Sequence, residues 1–281
     1  MSIRKVKFQR ASLQLLDKIK NILESYKQKN IRVTLRQLYY QLVASGLILN
    51  TDKQYKKISG LLTNARYSGI IDWEAIEDRT RKPNIPNTFR DVPHLLQVAS
   101  QCYQLNRWSN QVYYVELWTE KDAISSVISP ITNKYQVSVV VNRGYSSASS
   151  MYESAQRFLE NSNKKCILLY LGDHDPSGLD MDRDIGERLS EFGANVNVIR
   201  IGLTFNQVQE YNPPRNPTKL KDTRSKKYSK IYGFNCWEVD ALKPEVLQEL
   251  IENSILKYLD LEKYKLVQER EEKDLEDMKL K

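Results

Sequence analysis

The sequence contains few cysteines and no long apolar segment. Its three cysteines, Cys102, Cys166 and Cys236, are scattered, and none belongs to a CxxC pair. This pattern supports neither a zinc site nor a disulfide framework. No apolar run approaches the roughly 18 residues that a membrane span needs, and the basic N-terminal stretch lacks the apolar segment of a secretory signal. We therefore expect no membrane partner and a cytoplasmic protein, associated with the nucleoid if the host is prokaryotic.

Internal repeats and low-complexity tracts are also absent. The 281 residues suffice for two ordinary domains, and 41% hydrophobic residues argue against wholesale disorder. The net charge of +8 favours a polyanionic partner, because each neutralised phosphate releases counterions, although many proteins are basic for solubility alone. Residues 1–30 hold eight Lys or Arg against two acids, and residues 210–232 hold seven against two. The second stretch has a loop-like composition.

Helical patterns dominate the first 90 residues. Apolar residues recur at helical spacing between residues 11 and 29, a second helix is predicted to begin at the N-cap Thr34, and a third spans about residues 52–67 and ends at Gly69. The segment IIDWEAIEDRTR is predicted to form a short strand or wing. Three helices and a wing predict a winged-helix DNA-binding unit of helix-turn-helix type over residues 1–90. A polar face of the third helix would suit a DNA groove, and would equally suit solvent; its members are Lys53, Lys57, Gly60 and Asn64.

Strand-like and helical segments alternate after residue 110. Strands are predicted at QVYYVELWT, VSVVV, KCILLYLG and NVNVIRI, and a helix follows each of the first three. This alternation predicts a parallel, doubly wound sheet over residues 111–260. Residues 91–110 are predicted to be a linker, and residues 261–281 a charged C-terminal helix. The predicted fold class is therefore α/β plus a mainly helical domain.

Three acids fall at the predicted ends of two strands. Glu120 follows the first strand, and Asp173 and Asp175 follow KCILLYL. Chemistry in such sheets lies at the carboxyl ends of the strands, so we expect the three carboxylates to meet beside the loop of Gly144. Crowded carboxylates raise one another's pKa unless a cation neutralises them, and an all-oxygen site suits Mg²⁺. Alternatively, Asp173 and Asp175 cap a turn and the start of a helix.

Four residues near these acids are expected to have other roles. Glu116 lies inside the first strand, where a buried or edge position is expected. His174 should point away from the two flanking aspartates in an extended segment, so a structural role is expected for it. Gly172 and Gly178 leave room for the backbone to approach a ligand.

The segment TLRQLYYQLVASG contains two adjacent tyrosines. At about 100° per residue, Tyr39 falls on the apolar face of the helix and Tyr40 is predicted to be exposed. Arg36 lies four residues before Tyr40, hence beside it. A guanidinium there would favour the phenolate and hold a phosphate, which makes Tyr40 a candidate nucleophile for a phosphodiester. An ordinary surface tyrosine is the alternative, since the chain has 17 tyrosines.

These segments, in this order, resemble the family of the topoisomerase VI A subunit and its relatives that make meiotic DNA double-strand breaks. LRQLYYQLV resembles the tyrosine motif of the family, WTEKDAI its glutamate segment, NRGYSS its Gly-Tyr turn, LGDHDPSGLDM its DxDPxG metal motif, and WEVDALKPEVLQELI a late segment that closes the core. The resemblance covers about residues 30–255. It implies a winged helix joined to a Toprim domain that binds Mg²⁺.

The resemblance also implies roles for individual residues. Tyr40 would attack a DNA phosphate and become linked to the 5′ end, with Arg36 assisting, and Glu120, Asp173 and Asp175 would bind Mg²⁺ or Mn²⁺. Double-stranded DNA is the expected substrate, and a homodimer would share each site between subunits. No ATPase segment is visible, so strand passage would need a separate ATPase subunit. The residues expected to contact DNA are Lys53, Lys57, Asn64, Arg143, Lys226 and Lys227.

Three other functions fit parts of the pattern. The first is a metal-dependent nuclease in which Tyr40 is incidental, and the second is a catalytically silent DNA-binding protein. The third, a DxD phosphatase, is disfavoured because such enzymes usually place a Gly-Thr turn after the nucleophilic aspartate, whereas Pro-Ser-Gly follows here.

Overall fold

A computed structural model describes residues 4–77, 86–142, 146–218 and 222–279. Within these ranges the chain forms eleven α-helices and eight strands. The helices are α1 (Arg10–Gln28), α2 (Leu35–Ala44), α3 (Asp52–Tyr67), α4 (Val92–Cys102), α5 (Ser125–Lys134), α6 (Ala148–Glu160), α7 (Gly178–Glu191), α8 (Phe205–Tyr211), α9 (Ser225–Tyr232), α10 (Pro244–Leu256) and α11 (Leu261–Lys279). The strands are β1 (Val33–Thr34), β2 (Ile76–Glu77), β3 (Tyr113–Thr119), β4 (Ser138–Val141), β5 (Lys165–Leu171), β6 (Val196–Gly202), β7 (Arg215–Pro217) and β8 (Asn235–Trp237).

The first three helices begin and end where the sequence predicts. Thr34 caps α2 in a reciprocal capping box with Gln37, and the Thr51 hydroxyl accepts from the backbone N–H of Gln54 at the start of α3. Gly69 has φ +77°, which L side chains rarely adopt, and it ends the turn after α3. Strand β2 pairs with β1 in parallel. Residues 78–81 of the predicted wing lie outside the described residues.

The four longer strands form one parallel sheet in the order β4-β3-β5-β6. Side chains alternate between its faces, so that Leu117 and Leu169 lie in one core, whereas Trp118 and Tyr170 lie in another with residues of α6 and α7. Because helices cover both faces, the predicted α/β arrangement with a parallel sheet is confirmed. The direction of winding reverses between β3 and β5, which is where such sheets bind ligands.

The helical unit and the sheet are packed against each other. One continuous apolar cluster includes residues of α1, α2 and α3 together with Val115, Leu117 and Leu169 of the sheet and Leu247 of α10. Helix α2 lies at this junction, and six consecutive residues, 37–42, are buried. The helix therefore has protein on both faces, a point that its own periodicity does not show.

Two stretches differ from their predicted structure. The loop-like stretch 210–232 includes strand β7 and helix α9, because β7 pairs with β8 and Tyr228 of α9 packs in the interior. The predicted linker 91–110 contains α4, which has no buried residue. Among the described residues, no helix is both long and apolar enough to cross a membrane.

Candidate functional site

The parallel pairing of β3 and β5 brings the predicted acids together. Thr119 lies opposite Leu171, and the backbone N–H of Glu120 donates to the carbonyl of Leu171 at 3.1 Å. The two strands therefore end at the same level. The backbone N–H of Asp173 donates to Oε2 of Glu120 at 3.4 Å. Burial and the charge of Asp175 raise the pKa of Glu120.

Asp173 is buried, and both of its carboxylate oxygens have protein partners. Oδ1 accepts from the backbone N–H of Val239 at 2.9 Å, and Oδ2 lies 3.0 Å from Nζ of Lys121. Burial raises the pKa of Asp173, Lys121 opposes that shift, and the charge of Glu120 adds to it. The net direction is upward because one ammonium does not compensate for both desolvation and several carboxylates.

Asp175 lies in the turn that precedes helix α7. Its Oδ1 accepts from the backbone N–H of Gly178 at 2.6 Å and from the Ser177 hydroxyl at 3.0 Å. The capping role that was the alternative to metal binding is therefore present at Asp175. Gly178 has no room for a side chain, since an added Cβ would lie 2.3 Å from the Asp173 carbonyl oxygen. This glycine is required by the packing of the turn itself.

Tyr40 is buried, and the prediction that it is exposed is wrong. Only 3% of its surface is accessible, because α2 lies between the helical unit and the sheet. Its hydroxyl accepts from Nη2 of Arg36 at 3.3 Å and from Nδ2 of Asn216 at 3.5 Å. Tyr39 is buried as predicted, and its hydroxyl accepts from the backbone N–H of Thr51 at 2.9 Å.

Arg36 lies beside Tyr40 as predicted, but two acids already hold its guanidinium. It forms an ion pair with Glu238, and its Nε lies 3.0 Å from Oδ2 of Asp240. Burial and the charges of Glu238 and Asp240 raise the pKa of Tyr40, and the opposing effect of Arg36 is smaller. Arg36 therefore favours the phenolate, as expected, but burial and the two acids outweigh its effect, and the pKa of Tyr40 is raised overall.

Lys121, Glu238 and Asp240 are functional candidates that the sequence reasoning missed. Nζ of Lys121 contacts Oε2 of Glu238 at 2.5 Å and Oδ1 of Asp240 at 2.9 Å, in addition to Asp173. Burial lowers the pKa of Lys121, but the charges of Asp240, Asp173 and Glu238 outweigh it and raise the pKa overall. The sequence signal that could have identified the two acids is the segment WEVDAL, in which Glu238 and Asp240 alternate with an apolar residue directly after a short strand.

One cleft of about 610 Å³ contains all five predicted catalytic and metal-binding residues. We call it the central cleft; its lining includes Arg36, Tyr40, Glu120, Asp173, Asp175 and Glu238. These side chains belong to one chain, whereas the resemblance implied a site shared between subunits. Among the described residues that line it, six are acids and Arg36 alone is basic. A phosphate entering this cleft therefore requires additional positive charge.

The donor chemistry of the central cleft fits a hard cation at two of the three predicted ligands. Within the described residues, Oε1 of Glu120 and Oδ2 of Asp175 have no hydrogen-bond partner, although both side chains line the cleft. Oδ2 of Asp173 would have to leave Lys121 to join them. Among the described residues, no three His, Cys, Asp or Glu side chains already form a metal-binding group.

The other predicted residues fall into three groups. Lys53, Lys57, Asn64, Lys226 and Lys227 are exposed on α3 and α9, outside the lining of the cleft. Arg143, Gly144 and Tyr145 lie outside the described residues.

His174 points away from the flanking aspartates, as expected. It is buried, and its Nδ1 lies 3.0 Å from the Tyr228 hydroxyl. Burial lowers the pKa of His174 to about 4, so the ring is neutral near pH 7. Gly172 is also buried in the interior: an added Cβ would lie 2.6 Å from the Tyr170 ring, so packing within the protein leaves no room for a side chain there.

Comparison with models of known protein families and with curated proteins finds no match to this chain.

Proposed function

We propose that the protein cleaves DNA strands in a reaction that depends on Mg²⁺, with Tyr40 as the nucleophile of a transesterification. The observation that supports this function best is that Tyr40, Arg36 and the three acids at the ends of β3 and β5 line the same cleft. A phenol can act as the nucleophile of a phosphoryl transfer, and a guanidinium and a cation held by oxygen ligands can offset charge on the phosphate; here these groups lie at the switch point of a parallel sheet.

The proposed step is a balanced exchange of esters. The phenol oxygen of Tyr40 forms a bond to phosphorus, the bond from phosphorus to the 3′ oxygen breaks, and the phenol proton is lost while the 3′ oxygen gains one. The product is a 5′ phosphotyrosyl link and a free 3′ hydroxyl. Because one phosphodiester replaces another, the step is reversible, and no co-reactant is consumed.

Glu120, Asp173 and Asp175 are the residues that would hold Mg²⁺, which would supply positive charge to offset that of the phosphate. Arg36 and Lys121 are held by Glu238 and Asp240 in the protein without ligands. In the proposed reaction, the phosphate replaces some of the contacts that Arg36 makes with Glu238 and Asp240. Arg36 then offsets charge on the phosphate and favours ionisation of Tyr40.

Trapping of the covalent link tests this proposal. The protein is incubated with supercoiled DNA and Mg²⁺ or Mn²⁺, denatured, and examined for protein attached to 5′ ends. Wild type should form the adduct, Tyr40→Phe should form none, and Tyr39→Phe serves as the matched control on the same helix. The absence of any adduct from wild type with either metal would reject the proposal.

A second candidate is a metal-dependent nuclease without a covalent intermediate. The observation in its favour is the raised pKa of Tyr40, which opposes nucleophilic attack by the phenol. Water would then attack the phosphate, and Tyr40→Phe would still break DNA in the same assay. A catalytically silent DNA-binding protein is distinguished because Mg²⁺ would leave the DNA intact.

The proposed function also includes a finer assignment of the fold and a set of partners. The helical unit is proposed to be a winged helix and the α/β part a Toprim domain, and double-stranded DNA is the proposed partner. Since one chain carries both the tyrosine and the acids, a homodimer would supply two complete centres for two opposed cuts. A separate ATPase subunit is proposed only for strand passage.

A further inference from the structure

Within the described residues, the hydroxyl of Tyr170 in β5 has no hydrogen-bond partner. The side chain is fully buried in the core between the sheet and helices α6 and α7, together with Trp118 and Phe158. A phenylalanine would fill the same space without burying an unpaired donor, which is unfavourable for folding. Packing therefore explains the ring of Tyr170 but not its hydroxyl.

The register of the sheet places this hydroxyl beside Glu120. Tyr170 lies opposite Trp118 of β3, and both side chains are on the same face of the sheet. The ring extends toward the carboxyl end of β5, since its hydroxyl oxygen lies 2.6 Å from the position of a Cβ added to Gly172. Glu120 is level with Gly172, because its backbone N–H donates to the carbonyl of Leu171. Glu120 also follows Trp118 by two residues, which is the spacing of side chains on one face.

The charges around Tyr170 agree with this placement. Burial raises the pKa of Tyr170, and Glu120 is the charged neighbour that raises it most. Oε2 of Glu120 accepts from the backbone N–H of Asp173 at 3.4 Å, whereas Oε1 has no hydrogen-bond partner in the described part of the chain. An acceptor without a donor therefore lies near a donor without an acceptor.

A second unpaired donor lies on the other side of Glu120. Asn142 directly follows β4, and its backbone N–H donates to the carbonyl of Thr119 at 2.7 Å, so it is level with Glu120. Its side chain is 4% exposed, and its Nδ2 has no partner among the residues that the structure describes. Because the strands lie in the order β4-β3-β5, Glu120 is between Asn142 and Tyr170.

Carboxylates that bind a cation are themselves oriented by hydrogen bonds from neighbouring donors, and these donors contribute to the affinity for the metal. A glutamate without such donors must be ordered by the cation alone, which costs side-chain entropy. Two buried donors next to Glu120 can remove that cost, and each gains the acceptor that it lacks.

We propose that Tyr170 and Asn142 are positioning residues, which donate hydrogen bonds to the Glu120 carboxylate when Glu120 binds the cation. This inference rests on the proposed function for the metal site. It extends that site by two residues to which neither the sequence pattern nor the family resemblance gave a role.

The experiment measures Mg²⁺ affinity by isothermal titration calorimetry without DNA, and stability by urea unfolding without Mg²⁺. Tyr170→Phe removes only the hydroxyl. It should bind Mg²⁺ about 10- to 100-fold more weakly than wild type, the usual effect of losing a donor behind a metal ligand. Without Mg²⁺ it should be as stable as wild type or more stable, because the lost hydroxyl is unpaired. Asn142→Leu, of similar size, should also bind Mg²⁺ more weakly.

Tyr114→Phe is the matched control in the same sheet. Its hydroxyl donates to Oε1 of Glu116 at 2.8 Å, away from the predicted metal ligands. This variant should show the opposite pattern, with lower stability in urea and the Mg²⁺ affinity of wild type.

Three results would overturn the inference. They are an unchanged Mg²⁺ affinity of Tyr170→Phe, a wild type that binds no Mg²⁺, and a loss of stability without Mg²⁺ that matches the loss of affinity, which would assign the hydroxyl to the fold. The covalent adduct on DNA is measured separately. An adduct from wild type with unchanged Mg²⁺ affinity in Tyr170→Phe rejects only the positioning role, whereas weaker Mg²⁺ binding by Tyr170→Phe with no adduct from wild type rejects only the cleavage function.

Discussion

Two glutamates, one inside β3 and one directly after it, have opposite surroundings. Glu116, inside β3, is fully buried and accepts four hydrogen bonds, from Tyr114, Trp118 and two nitrogens of Arg157, at 2.8–3.0 Å. Glu120, four residues later, accepts one long bond from a backbone N–H and lies near two other acids. The same residue type is therefore satisfied at one position and crowded by like charge at the other.

This difference indicates which carboxylate serves the fold and which is available to a ligand. A buried charge with a complete set of donors gains nothing from a cation, and removing it leaves donors without partners. Crowded carboxylates carry an electrostatic cost that a cation relieves. The following four predictions separate the two cases, from the largest expected effect to the smallest.

Glu116→Ala should lower the free energy of unfolding by about 3–5 kcal/mol, because it leaves Arg157 and two ring donors without their acceptor. Urea unfolding followed by circular dichroism measures the loss. Glu153→Ala, at an exposed position of α6, should change it by less than about 0.5 kcal/mol. A small effect of Glu116→Ala would contradict the structural assignment.

Saturating Mg²⁺ should stabilise the wild type, by about 2.7 kcal/mol at one hundred times the dissociation constant. Unfolding with and without Mg²⁺, at matched ionic strength in NaCl, measures the gain. Glu120→Gln and Asp175→Asn should lose it, whereas an exposed variant such as Glu153→Gln should retain it. An equal gain in NaCl would show that screening alone is responsible.

Lys121→Met should bind Mg²⁺ about tenfold more tightly than wild type, because the ammonium no longer competes for Asp173 and a single nearby charge shifts such equilibria by at least one order of magnitude. Isothermal titration calorimetry without DNA measures the affinity. Lys134→Met is the control, since Lys134 pairs with Glu252 at the surface. Weaker binding by Lys121→Met would mean that Lys121 supports the metal site.

Glu120→Gln should give the smallest effect, a modest rise in stability near pH 8 without metal. The folded-state pKa of Glu120 is raised by burial and by Asp175, so its ionised form opposes folding. As the pH falls through that raised pKa, Glu120 becomes protonated in the folded protein, and the difference between variant and wild type should disappear. Thermal unfolding from pH 8 to pH 4 tests this, and a gain that persists at pH 4 would contradict it.

Much of the fold could be predicted because its signals are local. The apolar periodicity of α1 to α3, the Thr34 cap and the buried run of β5 each act within a few residues. The alternation of strands and helices placed β3 and β5 in one parallel sheet, and from this the approach of Glu120 to Asp173 was expected; their direct pairing is seen only in the structure. Helix α9 was missed because the burial of Tyr228 depends in part on a distant residue, His174.

The sequence by itself determined most of the elements, the parallel sheet and the position of three acids at the carboxyl ends of two of its strands. Only the tertiary structure decided that Tyr40 is buried, that Arg36 is held by Glu238, and that Lys121 lies on Asp173. Arg36 and Glu238 are separated by 202 positions. Burial and charge balance depend on such distant neighbours, whereas helical period and capping depend on adjacent ones.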